Sequence, residues 1–262
     1  MPSPKTFSEK VNFFSNLYLK KNSQTVPQEF LPTDLDEAYK IQTQLIANSQ
    51  DSYQHFKLGG TNQKTRDIFK VTKPYFGMIA NHNCQQVTNN KQNICLGKQT
   101  ENLLAELEII IRISQNIDIK QNINATNLTQ YIGSYTFGLE LPQNYLDNLE
   151  LVGVSGLVAE NCAAGYLIYG EFQPYKNNSF NLSDKFIFYQ DDSKIAEGVY
   201  QNLIGGLEKT LLEFIQEAQK HNFTITANSL IATGGLTDCV PIDRNKTIKL
   251  VGPQFVQSFI IN

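Results

Sequence analysis

The chain has 262 residues, 41% of them apolar with 16 Phe and 12 Tyr, and its 22 basic against 25 acidic residues give a net charge of −3. This is the composition of a folded protein long enough to bury a core, and the near-balanced charge carries no polyanion-binding signature, so it points away from nucleic acid. Cys84, Cys95, Cys162 and Cys239 show no C-x-x-C spacing and stand far in sequence from His55, His82 and His221, which reads as reduced thiols rather than a zinc site.

The first residues lack the apolar core of a signal peptide and no stretch approaches 18 uncharged apolar residues, so the sequence predicts a soluble, cytoplasmic protein with no membrane partner. From Thr6 to about Lys21, Val11, Phe14, Leu17 and Tyr18 fall at helical spacing, and Asp34 opens a second helix with an acidic first turn. Phe56 to Gly60 reads as a short strand ending in glycines, Thr72-Lys-Pro-Tyr-Phe-Gly as a turn, and Asn81 to Lys98 as polar loop and short strand. The run Leu103 to Ile113 is rich in β-branched residues and suits a strand, Asn127 to Gly133 a helix or loop, and Tyr135 to Glu140 another strand. Val154 to Gly170 is rich in small residues. Phe186 to Gln190 and Lys194 to Gly198 form a hairpin pattern, and Gly206 to Lys220 an amphipathic helix. Strands return at Ser229–Thr237, Thr247–Val251 and Phe255–Ile260. Helices at the start and near residue 210, with strands and irregular loops elsewhere, predict an α+β fold with large mixed β-structure rather than a doubly wound sheet. No repeat or linker divides the chain, so one domain over 1–262 is expected, with 1–50 helical and 51–262 β-rich.

Glu106 and Glu108 are the most informative residues. On a strand, positions i and i+2 share a face, so two carboxylates at this spacing can converge on one hard cation; on a helix they would diverge. The alternative is an exposed acidic face. Glu140 lies in the apolar segment Phe137-Gly-Leu-Glu-Leu-Pro, where a carboxylate is costly to bury unless paired or metal-bound, which makes it a candidate third ligand. Three carboxylates would fill half of an octahedral magnesium shell and leave room for water and a chelating substrate. Lys57 precedes Leu58, Gly59 and Gly60, where glycines would let a ligand approach the backbone; such a lysine can bind a carboxylate or exchange a proton, and a surface strand lysine would look the same. Asn161, followed by small residues, could form a turn beside a pocket or simply pack tightly. The Thr233-Gly234-Gly235 turn could offer a hydroxyl and backbone N–H groups to a carboxylate.

Taken in order, Glu37-Ala-Tyr-Lys-Ile-Gln, Lys57-Leu-Gly-Gly-Thr, Pro74-Tyr-Phe-Gly, Glu106-Leu-Glu, Leu139-Glu-Leu-Pro, Val158-Ala-Glu-Asn-Cys-Ala-Ala-Gly and Ala232-Thr-Gly-Gly-Leu-Thr give the chain a resemblance to a known family. It resembles the 2-keto-4-pentenoate hydratase and 4-oxalocrotonate decarboxylase branch of the fumarylacetoacetase-like superfamily. The resemblance implies a fumarylacetoacetase-like mixed β-barrel or roll with an N-terminal helical segment, assembled as a homo-oligomer. It also implies Glu106, Glu108 and Glu140 as ligands of Mg²⁺ or Mn²⁺ and Lys57 as the active-site lysine, while Leu58, Gly59, Asn161, Thr233 and Gly234 are expected, from the turns and glycines described above, as substrate contacts. The implied activity is that of a metal-dependent lyase acting on a 2-oxo acid or its 2-hydroxydienoate enol through a chelated enolate. A hydratase-like hydro-lyase stands first, a 4-oxalocrotonate-type decarboxylase second, and a diverged 2-oxo-acid-binding homologue without catalysis third. Departures bear on this order: Tyr75 stands where hydratases of the family can have an aspartate, Ala163 where a serine is usual, Ala227-Asn-Ser where Gly-Asp is usual, and Asp243-Arg-Asn-Lys partly replaces C-terminal glycines.

Overall fold

The computed structural model of the protein describes residues 3–90, 92–97, 103–177 and 179–262. Helix α1 (Phe7–Leu19) begins at a capping box, in which the Thr6 hydroxyl accepts from the Glu9 amide and the Glu9 carboxylate accepts from the Thr6 amide. Helix α2 (Leu35–Ala47) begins at Asp34, whose carboxylate accepts from the Glu37 amide at 2.8 Å. The two pack through Val11, Phe14, Leu17, Ala38, Ile41 and Leu45, and the buried Lys10 ammonium reaches Glu37 at 2.9 Å.

Strand β1 (Tyr53–Gly59) leads through a short helix α3 (Gln63–Phe69) to β2 (Tyr75–Ala80), β3 (Cys84–Gln86) and β4 (Gln92–Ile94). The expected loop to Lys98 is described only as far as Gly97, because residues 98–102 lie outside the described residues. Then come β5 (Leu104–Ile113), β6 (Ile132–Leu141), α4 (Leu149–Ala159), β7 (Tyr166–Tyr169), β8 (Gln173–Pro174), β9 (Lys185–Gln190) and β10 (Ser193–Val199). Helix α5 (Gly206–Lys220), β11 (Leu230–Gly235), β12 (Val240–Pro241), β13 (Lys246–Gly252) and β14 (Phe255–Ile261) complete the order. The larger sheet runs β2-β1-β11-β5-β6-β7-β3, with β12 added to β5 and β8 to β6; the second runs β10-β9-β13-β14-β4. Parallel pairs (β1 with β11, β3 with β7, β4 with β14) sit among antiparallel ones, so the architecture is α+β with mixed sheets, as expected.

The larger sheet is apolar on both faces, which is why β5 reads as a near-continuous run rather than an alternation. One face carries Ile79, Leu230, Ala232, Ile110 and Leu167. The other carries Phe56, Leu58, Phe76, Leu107, Ile109, Ile111 and Leu139 in a cluster shared with the helices and with Phe186, Phe188 and Leu250 of the second sheet. Helix α5 docks here by its apolar stripe, with Phe214 ring centroids 5.2 Å from Phe56 and 5.4 Å from Phe76.

Helices α3 and α4 are not expected from the sequence, and one segment read as a turn is a strand. The turn read over Thr72–Gly77 ends at Pro74, and Tyr75 to Ala80 form a fully buried strand antiparallel to β1. Gly77 is needed for a close approach rather than for turning: a Cβ there would lie 2.3 Å from the Asn161 carbonyl oxygen. β2 is the outer strand of its sheet, and its free edge is satisfied by side chains instead of another strand. The Phe76 amide donates to the Tyr39 hydroxyl (3.1 Å), and the Phe76 carbonyl accepts from Gln42 (3.0 Å) and from the Cys162 thiol (3.0 Å). The Asn161 amide mimics a strand: its Oδ1 accepts from Met78 N and its Nδ2 donates to Met78 O, both at 2.8 Å. Asn161→Ala strands both Met78 groups in the interior and is expected to destabilise the fold by about 2–4 kcal/mol, read from urea unfolding; an unchanged midpoint would show that another group takes over the edge.

Candidate metal centre

The register of β5 and β6 builds the site. Glu106 stands directly opposite Glu140 across the antiparallel pair, and Glu108, two residues along β5, projects from the same face. Each offers one carboxylate oxygen, and the three oxygens lie within 4.8 Å of one another. Glu108 and Glu140 are wholly buried, whereas Glu106 is partly open. A bulge between Ala232 and Gly235 shapes the third side. There Gly234 adopts φ of +100°, a Cβ on it would lie 1.8 Å from the Thr61 hydroxyl oxygen, and its amide donates to Glu108 Oε2 at 2.6 Å.

Lys57 comes from β1, where it pairs with Ala232 of β11 and Gly77 of β2. It is 7% exposed, and its ammonium lies 3.3 Å from Glu140 Oε2. Burial works against that ammonium, but Glu140, Glu106 and Glu108 outweigh it and raise its pKa, which favours the charged form of Lys57 beside the carboxylates. Burial pushes the carboxyls the other way: Glu140 is raised to about 8 despite Lys57, Glu106 is raised, and Glu108 rises well above the carboxylate range with Glu106 and Glu140 adding repulsion.

These features fit a divalent cation. Glu108 Oε1 and Glu140 Oε1 are buried without a hydrogen-bond donor, Glu140 Oε2 faces only the Lys57 ammonium, and three carboxylates facing one ammonium leave two negative charges uncompensated when ionised. An all-oxygen donor set with no thiolate or imidazole suits a hard ion such as magnesium or manganese.

The other sequence-predicted residues divide by orientation. Leu58 turns its side chain into the core on the opposite face from Lys57, leaving only its backbone near the site, and Gly59 pairs with Tyr75. Thr233 is buried with its hydroxyl donating to the Ile109 carbonyl at 2.9 Å, and the Asn161 amide is engaged with Met78. Gly234 reaches Glu108 directly. Two residues not named as candidates also matter. Thr61 packs against Gly234, and Glu160 is a wholly buried acid in a turn where Asn161, Cys162 and Ala163 are all left-handed, with φ of 74°, 58° and 52°. Its sequence signal was a lone carboxylate within Leu157 to Ala163. A separate groove of about 860 Å³, lined by Tyr135, Phe137, Gln173, Phe255 and Gln257, contains none of the three carboxylates.

Glu160 Oε2 accepts from the Ala163 amide at 2.9 Å, but Oε1 has no partner and burial raises its pKa to about 8. The folded chain therefore keeps a proton that an unfolded chain releases near pH 4.5, and stability is lost as pH rises from there through 8. Glu160→Gln removes that loss and is expected to stabilise the protein by about 2–4 kcal/mol at pH 8.5 and to change it little at pH 4, in paired denaturation curves. An equal effect at both pH values would contradict this.

No family model matches the sequence, and no curated protein sequence does. Solved structures do. A 4-oxalocrotonate decarboxylase from Pseudomonas putida G7 complexed with magnesium and adipate matches with a TM-score of 0.84 and 14% identity over 100% of both chains. The same enzyme complexed with calcium and acetate matches at 0.83. A fumarylpyruvate hydrolase from Pseudomonas aeruginosa in complex with Mn²⁺ and pyruvate matches with 0.60 and 12% identity, over 82% of this chain and 93% of that one. The protein thus has the fumarylacetoacetase-like fold. No helix among the described residues is long and apolar enough to cross a membrane.

Proposed function

We propose that the protein is a metal-dependent lyase acting on a 2-oxo acid or its 2-hydroxydienoate enol, with Glu106, Glu108 and Glu140 holding a magnesium or manganese ion. The observation that carries this reading is the convergence of three carboxylates, two of them wholly buried with orphaned oxygens, beside a single buried ammonium. When bound there, a divalent cation supplies Lewis-acid stabilisation of negative charge developing on the C2 oxygen of a 2-oxo acid.

The chain's own residues supply the rest. Lys57, held as a cation by the surrounding carboxylates, is placed to orient a substrate carboxylate or to hand over a proton from Nζ. The backbone of Leu58 and Gly59 and the Thr233–Gly234 bulge wall the site, and the Asn161 amide fixes β2 beside Lys57.

Hydration and decarboxylation share the same charge development at the C2 oxygen, and one observation favours decarboxylation. At the position before Phe76-Gly77, where the resemblance allows an aspartate base, Tyr75 is buried and burial raises its pKa, so it keeps its proton and cannot take one from water. Loss of CO₂ needs no base at that point: the C–C bond breaks and its electron pair moves toward the C2 oxygen. Homo-oligomeric assembly remains what the resemblance implies, and a cytoplasmic setting what the lack of a signal-peptide pattern predicts.

The test is a panel of 2-hydroxydienoates and unsaturated 2-oxo diacids followed by ultraviolet absorbance and CO₂ release, with Mg²⁺, with Mn²⁺ and with a chelator. Turnover abolished by the chelator is expected, with CO₂ released from a diacid. Metal-independent turnover would overturn the reading.

A further inference from the structure

Cys239 stands beside the carboxylate cluster but outside the proposed chemistry. Residues 236–239 link β11 to β12 and turn back along β5: the Leu236 amide donates to the Leu107 carbonyl at 2.8 Å, and the Thr237 hydroxyl accepts from the Leu107 amide at 3.1 Å. β12 then pairs Val240 with Ala105 and Pro241 with Leu104. Val240 shares a face with Ala105, so Cys239, one residue earlier, comes level with Glu106 on the opposite face, the one that carries the cluster. Glu106 therefore has Glu140 on its β6 side and Cys239 on its β12 side. The loop lies close: a Cβ on Gly235 would sit 2.1 Å from Glu106 Oε2 and 2.7 Å from the Thr237 carbonyl oxygen, so carboxylate and loop meet over one bare glycine. Cys239 is exposed, and the charged groups that act on its thiol are Glu106, Glu140, Lys57 and Glu108, the members of the candidate metal centre. Cys162, also within reach of Lys57 and Glu140, is buried, and its thiol donates to the Phe76 carbonyl at 3.0 Å.

Magnesium and manganese gain little from sulfur, whereas zinc and cadmium take carboxylate and thiolate together, and the sulfur loses its proton on coordination. The buried oxygens Glu108 Oε1 and Glu140 Oε1, which lack donors, attract any divalent cation; only a thiophilic one gains from a thiol at the edge of the cluster. We infer that Cys239 is a metal-selecting ligand, joining Glu106, Glu108 and Glu140 around a thiophilic divalent cation of the zinc and cadmium class and taking no part in holding magnesium. The 4.8 Å group contains the three carboxylates alone, so Cys239 enters by turning about χ1, which an exposed side chain does at little cost. As the sulfur–metal bond forms, the thiol proton passes to solvent, and the thiolate fills a position that a chelating 2-oxo acid would otherwise take. This rests on the three carboxylates binding a cation, as proposed above.

The test is calorimetric titration of wild type, Cys239→Ser and Glu106→Gln, with all thiols reduced, by Cd²⁺ and by Mg²⁺, with the ultraviolet sulfur-to-cadmium charge-transfer band followed in parallel. Wild type is expected to bind cadmium more tightly than magnesium and to show the band as the site fills. Cys239→Ser is expected to lose that band and at least about tenfold in cadmium affinity, while keeping magnesium affinity within about twofold, which also reports an intact fold. Glu106→Gln is expected to weaken the binding of both ions. A band or a cadmium affinity unchanged in Cys239→Ser would overturn the assignment of Cys239. Failure of wild type to bind either ion would instead overturn the metal centre itself.

Discussion

Glu106→Gln is expected to weaken magnesium binding by at least about 100-fold and to remove metal-dependent turnover, because cation affinity for an all-oxygen site follows the number of ionised ligands. The substitution preserves shape and hydrogen-bonding reach, and Glu106 is the least buried of the three carboxylates, so the fold tolerates it better than changes at Glu108 or Glu140. Titration calorimetry with Mg²⁺ measures the loss directly, and a melting curve without metal checks the fold. Retained magnesium affinity would remove Glu106 from the ligand set and with it the significance of the Glu106–Glu140 register pair.

Lys57→Met is expected to separate metal binding from catalysis. Met fills a similar volume, but the buried Glu140 loses its 3.3 Å ion-pair partner and the cluster loses its only nearby ammonium among the described residues. Magnesium affinity should therefore stay the same or rise, since a repelling charge has gone, while turnover falls by about 10²–10⁴-fold if Lys57 orients the substrate or moves a proton. The metal-free variant should melt lower than wild type, with a larger rise in Tm on adding Mg²⁺. A variant that binds metal normally and turns over normally would reduce Lys57 to a structural counter-charge. One that no longer binds metal would place Lys57 in the folding of the site.

Much of this site was legible in the sequence because a two-residue period is enough to put Glu106 and Glu108 on one face, and the isoleucines of β5 made a strand the better reading. The pairing that brings Glu140 opposite Glu106 was not legible from spacing, since register depends on long-range packing of the two strands; Glu140 stood out only because a carboxylate in so apolar a segment is costly to bury unless paired or metal-bound. Helix α5 was readable from its stripe, whereas α3 has no buried residue and announces itself only by the Asn62 cap. The Tyr75–Ala80 strand was hidden because Pro74 and Gly77 signal a turn, when Gly77 in fact admits the Asn161 backbone. Asn161 illustrates the same limit: an amide that replaces a strand at a sheet edge looks, in sequence, like one that waits for a ligand. Glu160 went unnamed because nothing in the composition of its segment shows that three left-handed residues follow it.

The measurement that bears most directly on the central claim is calorimetric titration of oxalate, a mimic of a planar 2-oxo-acid enolate, into the purified protein with and without Mg²⁺. Binding only when magnesium is present is the predicted result, with the response lost in Glu106→Gln and kept in Lys57→Met at no less metal affinity. Oxalate binding that is equally strong without the metal, or absent under both conditions, would contradict the assignment of the Glu106, Glu108 and Glu140 cluster as a working metal centre.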